Sequence, residues 1–489
     1  MGIRRPAVTA AAAAALIGAF TVPLAGGTAS ATEGTTAVRE DFDGDGHQDV
    51  AVAAPAATVA GHTWAGYVAI SYGSANGPGR TVVITQDTPG VPGTSGDNHG
   101  FGYALIPRDL DGDGFTDLAV ATNEYQPANN VSGSVIVLWG SSKGVSGTGA
   151  ATVLAPVNAF VGENITAGDF DGDGHVDLFL RNAEDYDLRG VLYGPFGRNG
   201  EPARDQQLNA FSTDNTMCTT AAGDFNGDGI DDLATFYVYE NHAEGGKLWL
   251  GTPQGLSTVP RRMNSANTTA VGDFDKDGYA DLATRVYPNG DTEGMQYDSG
   301  TIKIYYGSAA GPGTTRTKTI TQDTASVPGV SEKNDRFGAR LSAGDVNGDG
   351  YADLAVGVPG EAIGSVTKAG SVVLLKGGRG GLTGTGAQAF HQDTAGVPGA
   401  AEKGDLFGGS LRLLDVTGDG KADLTTGAPG EDLGTIVNGG AVWLLRGTAS
   451  GLTAAKAFAE NPVDLGAPAT KAQFGMNLAG DNGPNQLIP

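Results

Sequence analysis

The sequence predicts an all-β fold, a seven-bladed β-propeller with one acidic loop per blade. Three observations carry that expectation. A nine-residue acidic core recurs seven times, short apolar runs flank each copy, and glycine is abundant. Eighty glycines in 489 residues is about twice the usual ~7% share. No collagen-like period accompanies them, so they mark tight turns between short strands. Long helices are disfavoured, because each interior Gly costs a helix about 1 kcal/mol relative to Ala.

The first core reads Asp41-Phe42-Asp43-Gly44-Asp45-Gly46-His47-Gln48-Asp49. At positions 1, 3, 5, 7 and 9 the second core carries Asp109, Asp111, Asp113, Phe115 and Asp117. The third carries Asp169, Asp171, Asp173, His175 and Asp177, and the fourth Asp224, Asn226, Asp228, Ile230 and Asp232. Asp273, Asp275, Asp277, Tyr279 and Asp281 form the fifth. The sixth has Asp345, Asn347, Asp349, Tyr351 and Asp353, the seventh Asp415, Thr417, Asp419, Lys421 and Asp423. Successive cores start 49 to 72 residues apart. An apolar run follows each, as in Asp353 to Pro359, then a Gly-led strand such as Gly370 to Leu375, then a small-residue turn such as Gly73 to Gly77. About four short β runs per unit match a propeller blade, and one blade cannot bury both faces, so seven assemble as one domain. A linear β-solenoid, the rival, prefers shorter and more uniform repeats.

The chemistry of the core is that of a calcium loop. Oxygen side chains at positions 1, 3, 5 and 9, with the carbonyl of position 7 between them, suit a hard cation that takes six to eight oxygens, and Gly at position 6 permits the sharp turn. Transition metals would want His or Cys. The loop resembles an EF-hand in its first half only, since position 12 is not Glu. Nearly half of the 55 acidic residues sit in these loops. Carboxylates 4 Å apart repel by ~4 kcal/mol at an effective dielectric of 20, so seven solvated loops without cations are a poor alternative. Up to seven calcium ions are expected. The fifth and seventh loops are the weaker ones, with Lys276 in place of Gly at position 4 and Thr417 in place of a carboxylate.

Residues 1–31 read as an export signal. Arg4 and Arg5 precede an apolar, Ala-rich stretch from Ala7 to Leu24, and Ala29-Ser30-Ala31 gives a small-x-small cleavage site. The stretch is too weakly apolar for a retained anchor. Residues 32–489 are then the propeller, exported as a soluble, extracellular and monomeric chain. A net charge of −25 argues against nucleic acid or an anionic membrane as partner. Cys218 has no mate, which excludes a disulfide scaffold.

Phe101-Gly102, Phe337-Gly338 and Phe407-Gly408 each lie eight residues before a core, and Gly427-Ala428-Pro429 follows the last. On these motifs the chain resembles the FG-GAP repeat family, the propeller of integrin α subunits and of many secreted bacterial proteins. The resemblance covers essentially residues 33–489 and implies a seven-bladed, calcium-binding propeller. It leaves the activity open. Blades three to five depart, with Val161-Gly162, Thr216-Met217 and Ser265-Ala266 at the Phe-Gly place.

No catalytic residue is assigned. Gly140-Ser141-Ser142-Lys143-Gly144 matches the hydrolase elbow G-x-S-x-G, but the elbow needs a helix after the Ser, and other blades repeat this segment as a turn. The six histidines are scattered without zinc spacing, and Cys218 falls in an expected inner strand of blade four. Two functions remain. The first is an extracellular binding or adhesion module for a protein or carbohydrate, with the loops Ala121 to Ser132, Tyr287 to Ser299, Glu361 to Ala369 and Glu431 to Gly439 as its surface. The second is an extracellular hydrolase or lyase, directed at phospholipid or polysaccharide and working from the propeller face. The absence of a long segment outside the repeats favours binding. Finally, Phe474-Gly475-Met476-Asn477-Leu478-Ala479-Gly480 restarts the repeat, so it is expected to close the ring in the blade of Asp41, either in place of or beside residues 33–40.

Overall fold

Runs rich in Val, Ile, Leu and Thr and bounded by glycine turns have the signature of strands. They form 28 strands in the computed structural model, which describes residues 40–126, 131–153, 165–180, 190–208, 216–239, 242–287, 290, 294 and 297–480. The expected export signal and residues 32–39 lie outside the described residues. So do Val161-Gly162 and parts of two of the expected binding loops.

The strands make seven four-stranded antiparallel sheets. Blade one holds Val50–Ala54 (β1), Tyr67–Ser71 (β2) and Thr81–Ile84 (β3). Blade two is Leu105–Arg108 (β4), Asp117–Gln126 (β5), Val131–Leu138 (β6) and Ala151–Thr152 (β7). Blade three is Ile165–Gly168 (β8), Asp177–Leu180 (β9), Gly190–Tyr193 (β10) and Arg204–Gln207 (β11). Blade four is Thr216–Gly223 (β12), Asp232–Tyr239 (β13), His242–Trp249 (β14) and Arg261–Met263 (β15). Blade five is Thr268–Gly272 (β16), Asp281–Arg285 (β17), Ile302–Tyr305 (β18) and Thr317–Ile320 (β19). Blade six is Arg340–Gly344 (β20), Asp353–Val358 (β21), Ser371–Lys376 (β22) and Thr383–Phe390 (β23). Blade seven is Ser410–Leu414 (β24), Asp423–Ala428 (β25), Ala441–Thr448 (β26) and Gly451–Glu460 (β27), and Asn477–Leu478 (β28) follows.

The first strands of neighbouring blades touch one another, as β16 touches β20 and β20 touches β24, which places them around the central axis. The core lies between blade faces. One buried cluster joins Ile106, Val137 and Trp139 of blade two to Leu178 and Leu192 of blade three, and another joins Leu374 and Phe407 to Leu424 and Trp443. Each such side chain contributes about 1.5–3 kcal/mol on burial.

The ring closes through β28. It pairs with β1 in the order β28-β1-β2-β3, with Leu478 opposite Val52 and Asn477 opposite Ala53, so it supplies the first strand of blade one. Phe474 is fully buried and takes the place that Phe101, Phe337 and Phe407 take elsewhere. Each of these donates its N–H to a carbonyl of the preceding blade: Phe101 to Ala65, Phe337 to Ser299, Phe407 to Ala369 and Phe474 to Gly439. The close approach explains the glycine that follows each acceptor. A Cβ on Gly440, at φ +79°, would sit 2.3 Å from the nitrogen of Phe474.

One expected loop is shorter than the sequence suggests, and blade four has a long ladder that the sequence does not single out. The segment Ala121 to Ser132 is mostly hairpin, with β5 reaching Gln126 and β6 starting at Val131 across a register shift between Thr122 and Tyr125. In blade four the ladder extends to Tyr239 and His242. Cross-strand pairing there overrides a polar composition that reads as loop. Cys218 does lie in a first strand, β12, at a register shift between Met217 and Thr219.

Candidate metal centre

In blades two to seven the acidic core connects the first and second strands, and its position-9 Asp is the first residue of the second strand, as Asp117 is of β5. In blade one, whose first strand is β28, the core leads directly into the second strand, β1. Strands alternate in direction, so all seven cores lie on one face. The connections between second and third strands lie on the other. Around the ring, the position-7 side chain of one loop packs on position 4 of the loop before: Phe115 on Gly44, Tyr279 on Gly227, and His47 on Gly418 across the closure. Only the position-7 carbonyl was expected to matter, yet the side chains join neighbouring loops. In the fifth loop Lys276 keeps the left-handed backbone of position 4 at φ +58°, and its Nζ donates to the carbonyl of Asp349 in the sixth at 3.1 Å. Backbone bonds reinforce the ring. The position-8 N–H donates to the position-1 carbonyl of the preceding loop at Thr116–Asp41, Ala280–Asp224, Ala352–Asp273, Ala422–Asp345 and Gln48–Asp415.

Within a loop the carboxylates are aimed by the backbone. Asp41 accepts N–H groups of Gly44 at 2.6 Å, Asp45 at 3.1 Å and Gly46 at 2.9 Å, and Asp45 accepts that of His47 at 2.9 Å. The same pattern recurs around Asp109, Asp224 and Asp345. Asp49 is held from two sides, by the N–H of Phe42 at 2.7 Å and of Gly73, after the third strand, at 2.8 Å. Every blade has that second bond, down to Asp423 with Gly447 at 2.9 Å.

The result is a set of concentrated, partly buried carboxylates. Ligand atoms of Asp41, Asp43 and Asp45 lie within 4.8 Å of one another, as do those of Asp109, Asp111 and Asp117, of Asp169, Asp171 and Asp177, and of Asp273, Asp275 and Asp281. Burial pushes the position-9 carboxyls up, to about 8 at Asp49, Asp177, Asp232 and Asp281, about 7 at Asp117, and about 6 at Asp353 and Asp423. Backbone N–H groups offset only part of that cost. Three buried carboxylate oxygens, Asp43 Oδ1, Asp275 Oδ1 and Asp232 Oδ2, accept no hydrogen bond. An unpartnered buried oxygen beside further carboxylates is what a hard divalent cation satisfies, so the residues fit one. Positions 1, 3, 5 and 9 and the carbonyl of position 7 are the groups that would hold it.

Sequence reasoning missed a further ingredient. Tyr72, Trp139, Tyr193 and Tyr306 stand directly before the glycine that holds position 9, and each lies under a guanidinium: Arg80 at 3.5 Å, Arg198 at 4.9 Å, Arg204 at 3.3 Å and Arg316 at 3.5 Å from the ring centroid. An aromatic residue before a repeated Gly was the available signal.

The pattern of the FG-GAP repeat matches residues 34–71, 219–250, 265–305, 337–375 and 407–445, and that of the FG-GAP-like repeat matches 109–180. The chain belongs to the FG-GAP repeat family. As an FG-GAP, integrin-like propeller it is similar to phosphatidylinositol-glycan-specific phospholipase D of Rattus norvegicus, 31% identical over 116 residues, which is 24% of this chain and 14% of the relative. It is similar to integrin alpha-E of Mus musculus, 37% identical over 105 residues, or 21% of this chain and 8% of that one. The matches thus span a small part of these relatives' length. Among solved structures, the exotype rhamnogalacturonan lyase YesX aligns over 85% of this chain and 72% of its own, at 14% identity and a TM-score of 0.39. AofleA from Arthrobotrys oligospora aligns over 74% and 90%, at 12% identity and a TM-score of 0.37.

Ser142 lies in the turn between β6 and β7. Ser141 Oγ donates to the carbonyl of Gly144 at 2.8 Å, as Ser74 does to Gly77 at 2.6 Å and Ser308 to Gly311 at 2.9 Å. Among the described residues no helix is long and apolar enough to cross a membrane.

Proposed function

We propose that this chain is a secreted propeller whose acidic loops bind calcium and whose opposite face binds an extracellular protein or carbohydrate. The observation that carries the calcium half is the buried, unpartnered carboxylate oxygen of Asp43, Asp232 and Asp275, in three of seven loops of one design. A cation in each loop would remove the repulsion among its carboxylates and fix the blade edge on which the next loop packs. Calcium is the choice because oxygen ligands and water fill a six- to eight-coordinate shell without strict geometry.

The binding half rests on where the two kinds of loop lie. Ions on one face leave the connections between second and third strands free to vary. That side carries exposed apolar groups, which are candidates for ligand contact: Trp64 at 48% exposure in blade one, Tyr297 at 54% in blade five and Val437 at 57% in blade seven. Aromatic side chains of this kind anchor both glycan and protein ligands. Glycan and protein arrays probed in calcium and in chelator test the reading. Calcium-dependent capture that Trp64→Ala or Tyr297→Ala abolishes is expected. The similarity to a phospholipase D keeps the hydrolase alternative open, and assays of the same preparation on phospholipid and polysaccharide test it.

A further inference from the structure

Position 3 divides the seven loops into two kinds. It is Asp43, Asp111, Asp171 and Asp275 in blades one, two, three and five, and Asn226, Asn347 and Thr417 in blades four, six and seven. In the first kind each position-3 carboxylate pairs with one of the stacked arginines. Arg80 Nη2 meets Asp43 Oδ2 at 3.0 Å, Arg204 meets Asp171, and Arg316 meets Asp275. Arg198 reaches across from blade three to Asp111 and also to Asp113 Oδ2, the latter at 2.6 Å. In the second kind the aromatic residue is missing as well. Its place is held by Leu250, Lys376 and Arg446, and the two cations among these turn to backbone carbonyls of the next turn, Ser450 and Asn76.

The pairing has a consequence for charge. A loop with carboxylates at positions 1, 3, 5 and 9 gains one guanidinium, and a loop with carboxylates only at 1, 5 and 9 has none. Counting only the groups at positions 1, 3, 5 and 9 and the stacked guanidinium, the two kinds of loop carry the same net charge; Asp231 in the fourth loop, Lys276 in the fifth and Lys421 in the seventh add to that sum. The pairing also has a direction. Arg80 and Arg316 occupy Oδ2 of Asp43 and Asp275, and Oδ1 of each is buried without a partner. The Asp275 side chain is only 7% exposed, so that oxygen has no access to bulk water and sits beside Asp273 and Asp281.

We propose that Arg80, Arg198, Arg204 and Arg316 are built-in counter-cations, which hold the outer oxygen of each position-3 Asp and, at Asp43 and Asp275, leave the inner oxygen for a divalent ion. At Asp111 and Asp171 that oxygen also accepts the N–H of Asp113 at 3.2 Å and of Asp173 at 3.3 Å. The aromatic ring covers one face of the guanidinium and fixes its position beside the carboxylate, while the arginine side chains stay 41–51% exposed. The inference rests on the calcium reading for the ion but not for the pairing. It assigns these arginines as positioning residues: without the ion they keep a four-carboxylate loop folded, and with the ion they are partly redundant.

Thermal melts of Arg316→Met and of the double variant Asp275→Asn, Arg316→Met, in chelator and in millimolar calcium, test this. Met keeps the apolar stem without the charge, and the double variant copies the pattern of blades four and six. Arg316→Met is expected to lower the melting temperature in chelator by at least about 2 °C, with a smaller loss in calcium, and the double variant is expected to recover the loss in chelator. Equal melts of the single and double variants in chelator would overturn the counter-cation role. A loss in calcium as large as in chelator would overturn the inner-oxygen assignment. The calcium reading itself fails separately, if the wild type melts alike in both buffers.

Discussion

Leu478 stands opposite Val52 in an antiparallel pair, 426 positions apart in the chain, and this contact turns seven blades into a ring. Asn477 extends it into the next blade, with Nδ2 donating to the carbonyl of Tyr103 at 2.9 Å. Without β28, the edge of β1 would expose unpaired backbone and the inner face of blade one, which soluble proteins avoid. Deleting residues 472–489 is expected to lower the melting temperature sharply or to cause aggregation. A truncated chain that stays monomeric with an unchanged melt would show that the ring does not depend on this strand.

Gly440 is the second test of closure. Its φ of +79° and the 2.3 Å approach to the Phe474 nitrogen leave no room for a Cβ, whereas Gly466, at φ +62°, has nothing within 4 Å. Gly440→Ala is expected to cost about 2–4 kcal/mol, backbone strain plus displacement of Phe474, and Gly466→Ala about 1 kcal/mol. Chemical denaturation of the two variants measures the difference.

Much of this was legible in the sequence. The Asp spacing fixed the loops, since oxygen ligands at alternate positions with Gly at 4 and 6 allow few other folds of nine residues. The Phe474-Gly475 copy announced the closing strand. The arginine pairs were not legible, because Arg80, Arg204 and Arg316 follow their hairpin glycines at different distances, and Arg198 comes from a neighbouring blade. Their meeting point exists only in three dimensions. The long ladders of blades two and four were hidden for a related reason: polar residues such as Asn123 and Glu124 read as loop until the partner strand is in place.

Ser142 belongs to a strand-connecting turn, and its neighbour Ser141 supplies the turn's hydrogen bond. Ser142→Ala is expected to leave unchanged any esterase activity of the purified protein. A hundredfold loss with intact folding would reverse the assignment of that segment.

Glu431 gives a pH signature. Burial, with Asp405 nearby, pushes its carboxyl up to about 7, against the opposing bond from Gln392 Nε2 at 2.6 Å. The folded state therefore holds a proton that the unfolded state releases near its ordinary value of 4.5. The stability this group contributes is full below pH 4.5 and is lost as the pH rises through 7. Glu431→Gln, which stays neutral, is expected to raise the melting temperature relative to wild type more at pH 8 than at pH 5, both in chelator. An equal difference at the two pH values would contradict the burial argument.

The central claim is that the acidic loops hold calcium. Ions that bind only the native loops stabilise by RT ln(1 + [L]/Kd) per site, about 10 kcal/mol in all for seven sites at ten times Kd. The most direct measurement is the calcium bound per chain after equilibrium dialysis of metal-stripped protein. The account predicts four to seven ions per chain, and one fewer for Asp273→Asn. A folded chain that binds no calcium at millimolar concentration would contradict it.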